Sequence, residues 1–500
     1  MQATSATSMD DVSTVPENGT GVSTGVVTPV LVVDLDGTLI HSDMLYETFW
    51  AALHERWTRI FNVAFALTGG RAAVKRNLAD MVTVDPATLP YNEAVLEKLR
   101  SWRAAGGPTA LVSASDNQIV QSIAQHLGLF DHAQGSEDGI NLKGAHKAEY
   151  LKRTYPEGFQ YAGDSRADLA VWPEAVGAIT VDLPSRMKAD VTVREGGTIE
   201  HLQTRPNSMA GPLLKALRPH QWMKNLLLFL PILSAHQFDL QTLGIGFIAF
   251  IVFSLTASSV YLTNDLLDLA ADRAHPRKCK RPFAAGTLSL ALGTALAPGL
   301  LLLAFGIALA MVSPSFLMVM VLYYLLTTLY SFSLKRRMII DIFTLAILYT
   351  LRIVAGAAAT GLELSVWILA FSMFFFLALA AVKRQAELVS TLDEGQKMAK
   401  GRGYMAADLP FVSMMALASG YVSVLVLALY LTSDAVMRLY SEPAALWGIC
   451  VILLYWISRT CLLTHRGEMH DDPVIYAVKD HVSQFCAVLI LGLGVAGALL

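Results

Sequence analysis

From about Trp222 to the end, the chain is almost wholly apolar runs as long as a bilayer is thick, separated by short polar connections. Backbone groups in hydrocarbon find no water to bond, so runs of this kind must become helices packed together in a membrane. Up to about Arg205, by contrast, charge is as dense as in a soluble protein, a division hidden by the overall figure of 54% hydrophobic residues. The expected architecture is therefore a polar tail over residues 1–28, a soluble domain over 29–205 and an all-α polytopic membrane domain over 206–500. The tail, rich in Ser, Thr and Gly, has neither a basic start nor an apolar stretch, which predicts disorder rather than a signal peptide. A net charge of −3 gives no basic bias toward nucleic acid. The four cysteines lack metal-ligand spacing and are expected as free thiols.

Apolar length predicts nine transmembrane helices, near Trp222–Ala235, Leu243–Leu262, Leu288–Val312, Ser315–Phe332, Ile339–Ala359, Val366–Val382, Phe411–Leu431, Leu446–Leu463 and Val482–Leu500. Connections alternate in charge. Arg273–Arg281, Lys335–Arg337, Lys383–Arg402 and Arg466–Lys479 are basic, whereas His236–Thr242, Ser313–Pro314 and Gly361–Ser365 almost lack Lys and Arg. The positive-inside rule makes the basic set cytoplasmic, with the soluble domain inside and the C-terminus outside a plasma-type membrane. The first span is short, but without it the unsignalled soluble domain would lie outside.

Asp265, Asp268 and Asp272 follow the second span at spacings of three and four, which on one helix would put all three carboxylates on one face. Hard oxygen ligands of this kind suit Mg2+ held together with a substrate's phosphates. A basic cluster containing Lys278 and Arg281 comes directly after them. Arg352 lies within an apolar span, where an unpaired guanidinium costs about 2.5 to 3.5 kcal/mol on insertion scales, so it should face a cavity or a carboxylate such as Asp341 or Glu387. In the last basic loop His465, His470 and Asp471 do not complete a zinc set, and Asp472 and Asp480 are expected to close the rim of a site.

The soluble half alternates strand and helix patterns, which predicts an α/β domain with a mainly parallel sheet. Asp34-Leu35-Asp36-Gly37-Thr38 follows the strand Val30–Val33 directly. Ser113 ends the strand Ala110-Leu111-Val112, Lys147 opens a helix, and Asp164 and Asp168 follow Tyr161-Ala162-Gly163. In order and residue type these resemble the four motifs of the haloacid-dehalogenase-like phosphatases, which implies a Rossmann-like domain with a helical cap, expected over Asp43–Ala105 with Trp50, Trp57 and Phe61 in its core. The resemblance implies that Asp34 attacks phosphorus and that Asp36 protonates the leaving oxygen and then activates water. Ser113 and Lys147 would hold phosphoryl oxygens, and Asp34, Asp36, Asp164 and Asp168 would surround Mg2+.

The stretch Asn264–Asp272 with Arg281-Pro282 and Ala285-Gly286 resembles the first aspartate-rich motif of the UbiA-type intramembrane prenyltransferases. That family implies two cytoplasmic loops holding magnesium and diphosphate over a lateral cavity for a long isoprenoid. Its second loop often carries another acidic motif; here stand Lys383, Arg384 and Glu387 instead. Arg218–Asn225, His275–Lys278 and Tyr349–Arg352 are similar to the branch with decaprenyl-phosphate phosphoribosyltransferases. The resemblance implies two phosphorylated substrates, 5-phosphoribose 1-diphosphate and a polyprenyl phosphate or diphosphate, with Lys224, Asn264, Lys278, Arg281, Arg352, Lys383, Arg384 and Asp472 as substrate-binding residues. The alternatives are an aromatic acceptor beside an inactive phosphatase-like domain, or a membrane transporter with Arg352 on its pathway.

Overall fold

Val30–Val33 (β1) lies inside a six-stranded, all-parallel sheet completed by Thr109–Asp116 (β2), His132–Ser136 (β3), Phe159–Gly163 (β4), Gly177–Val181 (β5) and Thr198–Leu202 (β6), in the order β3-β2-β1-β4-β5-β6. The strands read as apolar runs because both faces are covered. Leu31 and Val33 join Leu111 and Ile179 in one core, and Val32, between them, joins Val112, Phe159 and Trp172 in the other. Met44–Glu55 (α1), Glu93–Ala104 (α2), Asn117–Leu127 (α3) and Ala145–Thr154 (α4) are the main helices of this half. The chain winds outward in opposite directions from β1, so a crevice forms at the carboxyl ends of β1 and β4, where sheets of this order bind ligands.

This computed structural model describes residues 28–56, 58, 78, 81–137, 141–206, 208–398, 402–434, 436, 440–469 and 472–499. The expected tail, Trp57, Phe61, His470 and Asp471 lie outside the described residues. Of the expected cap, α1 is seen clearly, N-capped by Asp43, whose Oδ1 accepts from the Leu45 amide at 2.9 Å.

Eight helices among the described residues are long and apolar enough to cross a membrane. They are Leu240–Leu267 (α6), Leu290–Met311 (α8), Pro314–Phe332 (α9), Ile340–Thr360 (α10), Val366–Asp393 (α11), Leu409–Leu431 (α12), Trp447–His465 (α13) and His481–Leu499 (α15). Shorter helices stand before and among them: Ala210–Leu217 (α5), Leu269–Arg273 (α7) and Pro473–Lys479 (α14). The chain is a multi-pass integral membrane protein.

The ninth expected span takes another form. Pro219–Phe229 is a 3-10 stretch that runs into the five-residue helix Leu230–Ser234. Pro219 and Pro231 withhold amide donors, and Lys224 and Asn225 are polar residues that must be satisfied in the interior. A 3-10 helix rises about 2.0 Å per residue and an α-helix about 1.5 Å, so the segment covers roughly 30 Å, the thickness of the hydrocarbon layer. It packs backbone to backbone against α10, where a Cβ on Gly356 would strike the Leu228 carbonyl. Contacts require this crossing. Lys215 of α5 donates to the Lys280 carbonyl and Glu47 of α1 pairs with Arg273, so the soluble domain lies on the side where α6 ends. α6 must therefore begin on the far side.

Candidate active sites

Asp34 is the first residue past β1, held by its amide to the Ala162 carbonyl at 3.0 Å, and its Oδ1 lies 2.9 Å from Lys147 Nζ. Lys147 also donates to the Tyr161 hydroxyl at 3.0 Å, which donates to Asp168 Oδ1 at 2.7 Å. Ser113 is buried inside β2, which runs on to Asp116, so the expectation that Ser113 ends its strand is corrected. Gly37, at φ +76°, passes so near Asp164 that a Cβ there would strike its carboxylate. No other residue type fits that turn without strain.

Oxygens of Asp34, Asp164 and Asp168 lie within 4.8 Å of one another. Burial, then Asp168 and Asp34, push the Asp164 carboxyl well above its usual range. Two buried carboxylates and a half-buried one beside one lysine carry the excess negative charge that a divalent cation would relieve, so these residues fit magnesium. Asp168 is partly committed, since its Oδ2 accepts from the Ser165 amide at 2.9 Å and hydroxyl at 2.7 Å. The expected place of Asp36 in this set is corrected. Its carboxylate turns aside to accept from the Met44 amide at 2.8 Å and the Ser115 hydroxyl at 2.6 Å, and so offers no ligand atom to the cluster. Burial, then the charge of Asp43, push it up to about 7, which leaves it able to carry a proton at neutral pH.

In the membrane half α6 does not continue through the acidic motif. It stops at Leu267, Asp268 adopts φ −98° and ψ 18°, and α7 begins at Leu269, so the expectation of a single helical face is corrected. Each carboxylate instead meets a cation, and Asp265 and Asp272 share one of them. Asp265 Oδ1 accepts from Arg218 and, at 3.1 Å, from Arg281, which also reaches Asp272 Oδ2 at 2.6 Å. Lys335 lies 3.1 Å from Asp268. Asp265 Oδ2 is buried with no partner, an open ligand atom where magnesium would fit. Arg218 holds φ +53° just before Pro219, a strained backbone that aims it at the motif. Asn264 is half-buried in the last turn of α6, and Lys278 is exposed in the loop.

A second charged cluster gathers three residues far apart in sequence. Asp472 Oδ2 accepts from Lys224 at 2.7 Å and Lys383 at 3.1 Å, while its Oδ1 caps α14 through the Val474 amide at 3.1 Å. Burial would raise the Asp472 carboxyl, but Lys383 and Lys224 hold it well below the usual range. The Tyr349 hydroxyl lies 3.5 Å from both Asp472 oxygens. Lys224 and Tyr349 also line a cavity of about 500 Å³ whose other walls are apolar, among them Phe229, Phe376, Leu379 and Trp456.

Two other expectations change. Arg384 is fully buried, paired with Glu387 and, at 2.9 Å, with Asp341, so it does not stand at a wet rim. Arg352 meets neither expected carboxylate. It donates to Asn225 Oδ1 at 3.0 Å, the Leu348 carbonyl at 2.6 Å and the Tyr323 hydroxyl at 3.1 Å, with its guanidinium over the rings of Phe253, Tyr323 and Tyr349. Neutral dipoles and ring faces solvate this cation. Sequence reasoning also missed Lys335 as a partner of Asp268 and Arg218 as a partner of Asp265. The first sits in a basic loop and the second in a quoted motif, but spacing cannot show which carboxylate each meets.

Fold and sites together define a membrane enzyme with two catalytic units. The UbiA prenyltransferase family matches residues 226–476, and haloacid dehalogenase-like hydrolase matches residues 31–172. An uncharacterized protein of Sinorhizobium fredii, y4nM, is 39% identical over 92% of this chain and 89% of its own length. The nodulation protein NoeC of Azorhizobium caulinodans is 36% identical over 56% of this chain and 91% of its own. Decaprenyl-phosphate phosphoribosyltransferase of Mycolicibacterium smegmatis is 32% identical over 57% of this chain and 92% of its own. The chain belongs to the UbiA prenyltransferase family, and its amino-terminal part is similar to the haloacid dehalogenase-like hydrolases.

Proposed function

We propose that the membrane half transfers a phosphoribosyl group from 5-phosphoribose 1-diphosphate to a polyprenyl phosphate, and that the phosphatase site then removes the remaining 5-phosphate. One observation carries this reading: the helices hold two separate cationic positions. Arg218, Arg281 and Lys335 surround the acidic motif, whereas Lys224, which lines the apolar cavity, shares Asp472 with Lys383. Two phosphorylated reactants need two such positions, whereas a neutral aromatic acceptor needs one. The likeness to decaprenyl-phosphate phosphoribosyltransferases points the same way.

In this reading the prenyl chain fills the cavity, and Lys224 and Lys383 orient its phosphate, leaving Asp472 to hold the two ammonium groups in place. A phosphate oxygen forms a bond to ribose C1 as the bond from C1 to the diphosphate breaks and its electrons leave with the diphosphate. Asp265, Asp268 and Asp272 would hold magnesium, whose charge stabilises that leaving group. Arg218 and Arg281 would receive diphosphate oxygens. At the other site Asp34 attacks the 5-phosphate, Asp36 gives its proton to the departing oxygen and then takes one from water, and Lys147 and Ser113 hold phosphoryl oxygens. Asp34, Asp164 and Asp168 would hold the magnesium that neutralises the phosphate.

Incubation of the purified protein with magnesium, labelled 5-phosphoribose 1-diphosphate and polyprenyl phosphate should yield a labelled lipid and free phosphate. Chelation of magnesium should stop both reactions. Transfer from a prenyl diphosphate to 4-hydroxybenzoate, without turnover of the phosphoribose donor, would restore the aromatic reading.

The basic loops support a cytoplasmic phosphatase domain, and nine crossings then leave the C-terminus outside. Cys279, half-buried in the loop after α7, should react with an impermeant thiol reagent only in opened or inverted vesicles. A cysteine placed at the exposed Arg337 is a faster-reacting companion. Labelling of either in intact cells would reverse the orientation.

A further inference from the structure

Helix α1 belongs by sequence to the phosphatase domain, yet one of its faces forms the support of the acidic loop in the membrane half. Glu47 and Arg273 are both nearly buried, and two guanidinium nitrogens reach the carboxylate at 2.6 and 3.1 Å. The third nitrogen, Nε, donates to the Ala284 carbonyl at 3.1 Å. A single guanidinium thus ties α1 to the residue directly after Asp272 and to the segment directly after Arg281-Pro282. Glu47 is itself held by the Ser42 hydroxyl at 2.5 Å. Around this pair Trp50 Nε1 donates to Thr294 Oγ1 at 2.9 Å, and Trp50 and Leu53 pack with Leu266, Leu267, Leu269 and Phe283. Gly286, at φ +68°, lies so near His41 that a Cβ there would strike it, and His54 Nδ1 comes within 3.8 Å of Asp268 Oδ1.

We propose that Glu47 is a positioning residue for the transferase: through Arg273 it fixes Asp272 and the loop bearing Arg281 in the geometry that receives magnesium and diphosphate. The inference rests on the reading of Asp265, Asp268 and Asp272 as that site. A solvent-exposed ion pair would matter little, but this one is buried and bidentate, so removing one partner strands a charge in the interior. Glu47 touches no reactant. Its effect passes through the backbone of Arg273, which is continuous with Asp272, as outer-shell partners act on the ligands they orient. The transferase loop is in this sense completed by a helix from the other enzyme.

The test uses full-length protein in detergent or nanodiscs and reads binding of inorganic diphosphate with magnesium by calorimetry, without either organic substrate. Glu47→Gln and Arg273→Gln should each weaken that binding by on the order of 10-fold, the lower end for outer-shell partners. The reversed pair, Glu47→Arg with Arg273→Glu, should recover most of the loss. Hydrolysis of a soluble phosphomonoester at Asp34 should stay within about twofold, because the pair reaches that site only through Ser42, whose bond to the Gly37 amide is made by its backbone carbonyl and not by Glu47. Wild-type binding retained by both single variants overturns the proposal, as does a reversed pair weaker than either single change. Loss of binding confined to variants that no longer unfold cooperatively also overturns it, since the role would then be support of the fold alone. If the wild-type protein bound no magnesium-diphosphate, the reading of the acidic motif would fail first and this inference with it.

Discussion

Asp34→Asn should stop phosphate release and leave lipid transfer running. The carboxamide keeps the shape of the side chain and its contact with Lys147 but cannot attack phosphorus, so hydrolysis should fall by about 10⁴-fold or more, as when other covalent enzymes lose a central catalytic group. The lipid product should then accumulate with its 5-phosphate in place, visible as an extra phosphate by mass spectrometry. Hydrolysis surviving within about tenfold would put the nucleophile elsewhere. Transfer lost together with hydrolysis would show that the sites cannot be separated at the level of chemistry. Nothing in the contacts of Asp34 leads there, because the path between the halves runs through Glu47 and Trp50.

Adjacent residues on α11 should give opposite outcomes. Arg384→Ala removes a buried guanidinium from Asp341 and Glu387, and breaking a buried pair of this kind costs about 3–5 kcal/mol. The expected result is poor recovery from membranes and a lower unfolding temperature. Lys383→Ala removes one of the two ammonium groups on Asp472 and should cost little stability, because Lys224 remains to pair with Asp472. It should nevertheless cut transfer, by raising KM for the polyprenyl phosphate. A stable, active Arg384→Ala protein would contradict the buried pairing, and an unchanged KM in Lys383→Ala would remove Lys383 from the substrate site.

The same two residues show what was legible in the sequence. Consecutive residues on an α-helix point about 100° apart, so if Lys383 faces the rim Arg384 must turn toward the core. The pattern Lys-Arg reads as one basic patch only when that geometry is ignored. Strand ends were easier. Asp34 and Asp164 each follow a strand directly, and the parallel sheet brings such positions together whatever the loops do, whereas Ser113 follows an apolar run but lies inside β2. The break at Asp268 left no mark, since Leu267 and Leu269 suit a helix equally well. Arg352 was expected to need a carboxylate because Asn225 and Tyr323 look unremarkable in apolar segments, yet their dipoles and rings suffice. The 226-residue separation of Glu47 and Arg273 lies beyond any periodicity.

The docking of α1 also sets an order of events during synthesis. The sheet is complete once β6 has left the ribosome, well before α6 and the loop after it exist, and domains generally fold in the order they emerge. For that interval the face of α1 carrying Trp50 and Leu53 lacks its partners from the membrane half, Phe283 among them, and Glu47 lacks the Arg273 guanidinium. The nascent phosphatase should therefore expose a sticky strip that a chaperone can hold, and the strip should vanish when Phe283 and Arg273 arrive. Chains arrested near the start of α6, with β6 outside the ribosome, should crosslink at position 50 to a holdase, and chains arrested after residue 330 should not. If the crosslink persisted at the longer length, the two halves would have to meet only after release.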